Sequence, residues 1–125
     1  MLKDKEIQVH IVGDAIACYH NIKKTINEEH LSGKSKSGLH TLLKSLEAKK
    51  EELLKNPFYG VQIQKKLIPN KYVEVHGVEN LWKCNLALGW RAIYFIKGRE
   101  NEIAVAIIDI LDHKTYSKVF GYKNG

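Results

Sequence analysis

The chain has 125 residues, of which 44% are hydrophobic and 27% charged, the composition of an ordinary folded domain rather than of a disordered or fibrous chain. Its formal charge of +6 favours an anionic partner, whether RNA, DNA or an acidic protein, although such a charge also serves to keep a small domain soluble. No stretch approaches the roughly 20 apolar residues of a membrane span, since the longest apolar run, residues 103–111, is interrupted by Asp109.

The length fits one domain covering residues 1–125. The segment Met1-Leu2-Lys3-Asp4-Lys5-Glu6 lacks the apolar core of a signal peptide, so a cytoplasmic location without membrane contact is expected. Cys18 and Cys84, the only cysteines, lack a Cys-x-x-Cys spacing and are read as small buried apolar residues of a reducing compartment.

The first element is a strand over residues 6–12, in which Ile7, Val9 and Ile11 alternate on one face. Gly13 breaks it, and Asp14 is placed to cap a helix over residues 15–29 with the stripe Ile16, Tyr19, Ile22 and Ile26. The glycines, serines and lysines of residues 31–38 spell a loop, including Lys34 and Lys36. Ser37 is then placed to cap a second helix, residues 39–55, whose buried face holds Leu39, Leu42, Leu43, Leu46, Leu53 and Leu54. That helix stops at Asn56, because a residue before proline is driven out of helical geometry. The two helices form an antiparallel hairpin.

Between Val61 and Glu79 the pattern is weak; Pro69 breaks it, and Tyr72, Val73 and Val75 read as a short strand ended by Gly77. The remainder reads as a three-stranded antiparallel meander: residues 81–88, residues 90–96 after the Gly89 turn, and residues 103–111. The last strand is apolar at nearly every position, as in a central strand covered on both faces. A short helical tail over residues 116–120 closes an α+β chain of N-terminal strand, helix hairpin and meander.

Three pieces of this meander carry chemistry. Leu81-Trp82-Lys83 precedes Gly89-Trp90-Arg91-x-x-Tyr94, and the apolar strand ends in Asp112-His113-Lys114. This order resembles the RelE/ParE superfamily of toxins from toxin–antitoxin pairs. The resemblance implies the same α+β fold. It also implies either a cationic sheet surface that cleaves messenger RNA, in some members on the ribosome, or, in ParE-type members, inhibition of a topoisomerase by binding. A retained non-catalytic interaction module of the same fold is the third reading. The implied partner is a cognate antitoxin, with no small-molecule cofactor.

RNA cleavage of this kind uses the RNA's own 2′-hydroxyl as nucleophile, with a base, an acid and cations around one phosphate. The resemblance places Arg91 on the scissile phosphate, which a guanidinium binds in bidentate fashion; the competing reading is an arginine paired with a carboxylate in the sheet. Lys83 matches the family lysine that stabilises charge or orients the 2′-hydroxyl, or else is a solvated strand residue. A second family lysine is replaced here by Asn85, which cannot act as a base. Lys114 matches the charge-stabilising residue at the end of the last strand, and His113 beside it is of the type that exchanges protons near neutral pH. Tyr116, with Tyr122 as second choice, takes the place of the family tyrosine that stacks on a base or moves a proton; Phe120 has no hydroxyl. Lys65, Lys66 and Lys71 extend the phosphate-binding surface, with Tyr122 beside them as an RNA contact. His10, His20, His30, His40 and His76 show no metal-ligand spacing, so no metal site is expected.

Overall fold

A computed structural model describes residues 5–33 and 38–121. It is an α+β structure built on one five-stranded sheet. The elements are β1 (Glu6–Ile11), α1 (Asp14–Leu31), α2 (Leu39–Lys55), β2 (Val61–Gln62), α3 (Asn70–His76), β3 (Trp82–Asn85), β4 (Arg91–Gly98), β5 (Glu102–Leu111) and α4 (His113–Val119). Short 3₁₀ turns occupy Lys65–Leu67 and Ala87–Gly89.

The strand order is β1-β5-β4-β3-β2, with β1 parallel to β5 and every other pair antiparallel. The meander β3-β4-β5 is present and the N-terminal strand pairs with it as β1 beyond β5; the sheet nevertheless has five strands and not only the meander's three plus β1, because the two-residue β2 joins beyond β3. The continuous apolar run of β5 has a simple cause: it lies between β1 and β4 and is covered on both faces.

One face packs against α1 and α2. Ala15 and Ile22 of α1 and Leu42, Leu46 and Leu53 of α2 meet Cys84, Ala92, Tyr94, Val105, Ile107 and Ile110. The other face packs Ile93, Ile108 and Leu111 against Tyr72 of α3 and Tyr116 of α4. Ile93 pairs with Asp109 and Tyr94 with Ile107, so Ile108 is an extra residue, a β-bulge. The bulge lets Ile107 and Ile110, three positions apart, share one face.

Several boundaries differ from the sequence expectation. Gly13, with φ 59°, is the N-cap of α1, and Asp14 is its first residue, where a carboxylate suits the positive end of the helix dipole. Gly38 takes the N-cap of α2, while Ser37 lies outside the described residues. Leu54 is 39% exposed rather than buried.

The expected strand through Tyr72, Val73 and Val75 is helix α3. Val73 and Val75 are exposed, so their spacing does not mark a buried face; the one buried side chain is Tyr72. Asn70 bonds Glu74 one turn on at 2.9 Å, and Gly77 ends the helix in the left-handed conformation at φ 63°. The strand before Gly89 ends at Asn85, and the tail helix begins at His113, three residues earlier than expected.

Tyr94, fully buried, ties the turn after α2 to the sheet. Its hydroxyl accepts from Gly60 N–H at 2.9 Å and donates to the Pro57 carbonyl at 3.1 Å. Burial pushes its phenol up to about 12. Gly60 is required there: a Cβ would lie 2.4 Å from the Lys83 carbonyl oxygen and 2.6 Å from the Tyr94 hydroxyl.

Candidate functional site

Side chains alternate across a strand. Trp82 and Cys84 face the helix-hairpin side, so Lys83 and Asn85 face the side of α4. Ala92 and Tyr94 likewise leave Arg91 and Ile93 on the α4 side. The register pairs Lys83 with Ile93 and Asn85 with Arg91, which makes Lys83 and Arg91 diagonal neighbours on adjacent strands.

Helix α4 supplies the third member. Its N-cap, Asp112, accepts from the Thr115 N–H at 2.7 Å, and the Asp112 carbonyl accepts from the Tyr116 N–H at 2.8 Å. The capping bonds from Thr115, aided by charge from Lys114 and His113, hold the Asp112 carboxyl below the usual aspartate range. An aspartate before a helical turn is a strong start signal, and reading it would have set the helix boundary correctly.

One turn into α4, Tyr116 lies only 2% exposed beneath both cations. The Lys83 ammonium donates to its hydroxyl at 2.8 Å and sits 5.1 Å from the ring centre. The Arg91 guanidinium carbon is 5.2 Å from the same ring centre. Phe120 packs against the ring at a tilt of 34°, with ring centres 4.7 Å apart. Tyr116 is therefore a platform under two cations; so little of its ring is open that it offers no face to a nucleobase.

Arg91 is not paired with a carboxylate among the described residues. Its Nη1 donates to the carbonyls of Gly89 at 2.7 Å and Trp90 at 3.3 Å, and its buried Nε has no hydrogen-bond partner among the described residues. Lys83 has no ion pair among the described residues either. Two cations thus converge on one aromatic ring without a neutralising acid among the described residues.

His113 and Lys114 are exposed in the first turn of α4. A Cβ on Gly89 would lie 3.6 Å from the His113 Cβ, so His113 backs onto the same turn whose carbonyl holds Arg91. Lys114 makes no hydrogen bond or ion pair among the described residues. Lys65 and Lys66 are exposed in the 3₁₀ turn after β2. Lys71 is committed elsewhere, 3.7 Å from the Asp109 carboxylate. Tyr122, Lys34 and Lys36 lie outside the described residues.

Asp109 is the feature that the sequence reading passed over. It is 6% exposed within β5; one oxygen accepts from the Tyr72 hydroxyl at 2.8 Å and the other from the Ile110 N–H at 3.2 Å. Burial, then the neighbouring Asp109 charge, push the Tyr72 phenol far upward, which keeps it a donor. An aspartate inside an apolar strand was the available signal, because such a charge is buried only with partners. Among the described residues no cluster of three or more His, Cys, Asp or Glu is placed to hold a metal ion, and no helix is long and apolar enough to cross a membrane.

Comparison of the sequence with family models and with curated proteins finds no match.

Proposed function

We propose that this chain is the toxin of a toxin–antitoxin pair of RelE/ParE type and cleaves messenger RNA through the RNA's own 2′-hydroxyl. The observation that carries this reading is the convergence of Lys83 and Arg91 on Tyr116, with no carboxylate paired to either among the described residues. A site that gathers uncompensated cations on a sheet face attracts a phosphate and stabilises charge that builds on it.

In the proposed reaction the 2′-oxygen loses its proton to a base and attacks the adjacent phosphorus. The bond to the 5′-oxygen breaks, that oxygen takes up a proton, and a 2′,3′-cyclic phosphate and a 5′-hydroxyl result. Arg91 and Lys83 hold the phosphate oxygens as their charge grows. His113, exposed beside the Gly89 turn, is the candidate for proton transfer, and Lys114 adds charge at the same helix end. Tyr116 fixes the two cations rather than stacking on the substrate. Lys65 and Lys66 extend the path of the RNA backbone, on the ribosome or off it.

The antitoxin in this reading carries an acidic or amphipathic segment. Support comes from the +6 charge and from the exposed two-residue β2 at the end of the sheet, an edge to which a strand can be added.

The test is induction of the chain by itself, followed by primer extension on cellular messages and capture of the neighbouring gene product. Growth arrest with new message ends supports the nuclease. Arrest without new ends supports topoisomerase inhibition, and no arrest supports a non-catalytic module.

A further inference from the structure

The turn between α2 and β2 presents two aromatic side chains to solvent: Phe58 is 45% and Tyr59 43% exposed. The turn is rigid. Asn56 accepts from Phe58 N–H through its side chain at 3.0 Å and from Tyr59 N–H through its carbonyl at 3.0 Å. The Tyr94 hydroxyl clamps Pro57 and Gly60 from below. Phe58 leans on Trp82 at 5.5 Å between ring centres, and Trp82 stacks on Tyr94 at 6.2 Å. Holding exposed aromatics on so firm a base does nothing for the core that burying them would not do better.

Beside Tyr59 opens a pocket of about 200 Å³ lined by Lys49, Tyr59, Gly60, Val61, Lys83, Cys84 and Asn85. This is smaller than the roughly 300–1,000 Å³ of sites for drug-sized ligands, so it suits a single ring system. Lys49 donates to the Tyr59 hydroxyl at 3.1 Å while lying 5.0 Å from the ring centre. The ammonium thus holds the ring from its hydroxyl side, and Tyr59 remains 43% exposed to solvent. The hydrogen bond to Tyr59 raises the Lys49 pKa, so the ammonium stays charged.

Asn85 is exposed, and its amide has no hydrogen-bond partner among the described residues. It pairs with Arg91 across β3 and β4 and lies two residues from Lys83. The pocket thus adjoins the proposed phosphate site along the edge of β3.

We propose that this pocket binds one nucleotide of single-stranded RNA next to the phosphate held by Lys83 and Arg91. Its base stacks on Tyr59, its base edge meets the Asn85 amide, and its phosphate meets Lys49. Stacking on an aromatic with a cation at its rim is how single-stranded nucleic acid is held, and an amide offers both a donor and an acceptor to a base edge. The inference rests on the nuclease reading only for where the neighbouring phosphate lies.

The experiment uses the full chain and a short fluorescent single-stranded RNA methylated at every 2′-oxygen, which cannot be cleaved by 2′-hydroxyl attack. Tyr59→Ala and Tyr59→Leu are expected to weaken binding about tenfold, Tyr59→Phe to keep most of it, and Asn85→Ala to alter the preference among homopolymers. Two Tyr59 variants guard against loss of fold, which circular dichroism checks. Unchanged affinity in a folded Tyr59 variant overturns the proposal, as does an equal loss for duplex RNA, which has no free base to stack. If Tyr59-dependent binding holds while unmethylated RNA stays intact, the subsite stands and the nuclease reading falls. If unmethylated RNA is cut and the Tyr59 variants bind and cut as well as the parent, the nuclease reading stands and the subsite falls.

Discussion

The Lys83 ammonium donates a 2.8 Å hydrogen bond to the hydroxyl of Tyr116, a residue 33 positions away, and so joins the strand before the Gly-Trp-Arg turn to the helix after the last strand. The bond is partly buried and carries a charge, a class worth about 1.5–3 kcal/mol. Lys83→Met and Tyr116→Phe should each destabilise the fold by up to that amount. Because the partners touch, the double variant should cost less than the sum of the single ones. Urea unfolding of all four proteins measures the coupling, and strict additivity would mean that the bond contributes nothing. Cleavage should fall in both single variants, since each loosens the pair of cations.

Arg91→Ala should abolish growth inhibition and leave the chain folded. The guanidinium is held by carbonyls of its own turn, a contribution of about 1 kcal/mol, whereas a group that stabilises charge on the reacting phosphate is worth about 3–4 kcal/mol of barrier. Arg91→Lys keeps the charge but not the fork and should recover only part of the activity. A folded Arg91→Ala protein that still arrests growth would remove this residue from the mechanism.

Tyr72→Phe should be more damaging than the loss of one hydroxyl suggests. It leaves the Asp109 carboxylate buried without its 2.8 Å donor, held only by the Ile110 N–H and by Lys71 at 3.7 Å. An unsatisfied buried charge costs about 1.5–3 kcal/mol or more. Asp109→Asn in the same background should recover part of the loss, because a neutral amide needs less. Thermal melting of the parent and the two variants decides it; an unchanged midpoint for Tyr72→Phe would show that Lys71 suffices.

Gly60→Ala should disrupt the β2 edge. The new methyl would sit 2.4 Å from the Lys83 carbonyl oxygen, which is backbone in β3 and cannot swing away. Overpacking of this kind costs about 1–3 kcal/mol. Hydrogen exchange should rise at Val61 and Gln62, the two residues of β2, before it rises in β4 and β5.

The cap of α4 makes a pH-dependent contribution. Hydrogen bonds from Thr115 lower the Asp112 pKa in the folded chain, so the ionised form is favoured by folding. That stability is present in full above the unfolded aspartate value, about 3.9, and is lost as pH falls through the lower folded value. At pH 7 Asp112→Ala should cost about 1 kcal/mol, a few degrees in melting temperature. The gap between parent and variant should narrow toward pH 3. A gap that stays constant with pH would mean that the charged cap is not what holds the helix.

The long elements were legible before any coordinates. The leucine spacing of α2, the stop before Pro57 and the two-sided apolar run of β5 are local patterns, and a chain obeys them because one face or both must leave water. Arg91 and Lys83 stood out by type and by their place at strand ends. Residues 70–76 misled, since the apolar spacing of Tyr72, Val73 and Val75 is compatible with either period over so short a run. Only packing decided the matter, by burying Tyr72 over Asp109 and leaving both valines in water. The parallel docking of β1 on β5, the pocket beside Tyr59 and the meeting of Lys83 and Arg91 on Tyr116 belong to tertiary structure as well. Each joins residues distant in the chain through strand register, and register is set by the whole sheet and its bulge rather than by any one segment.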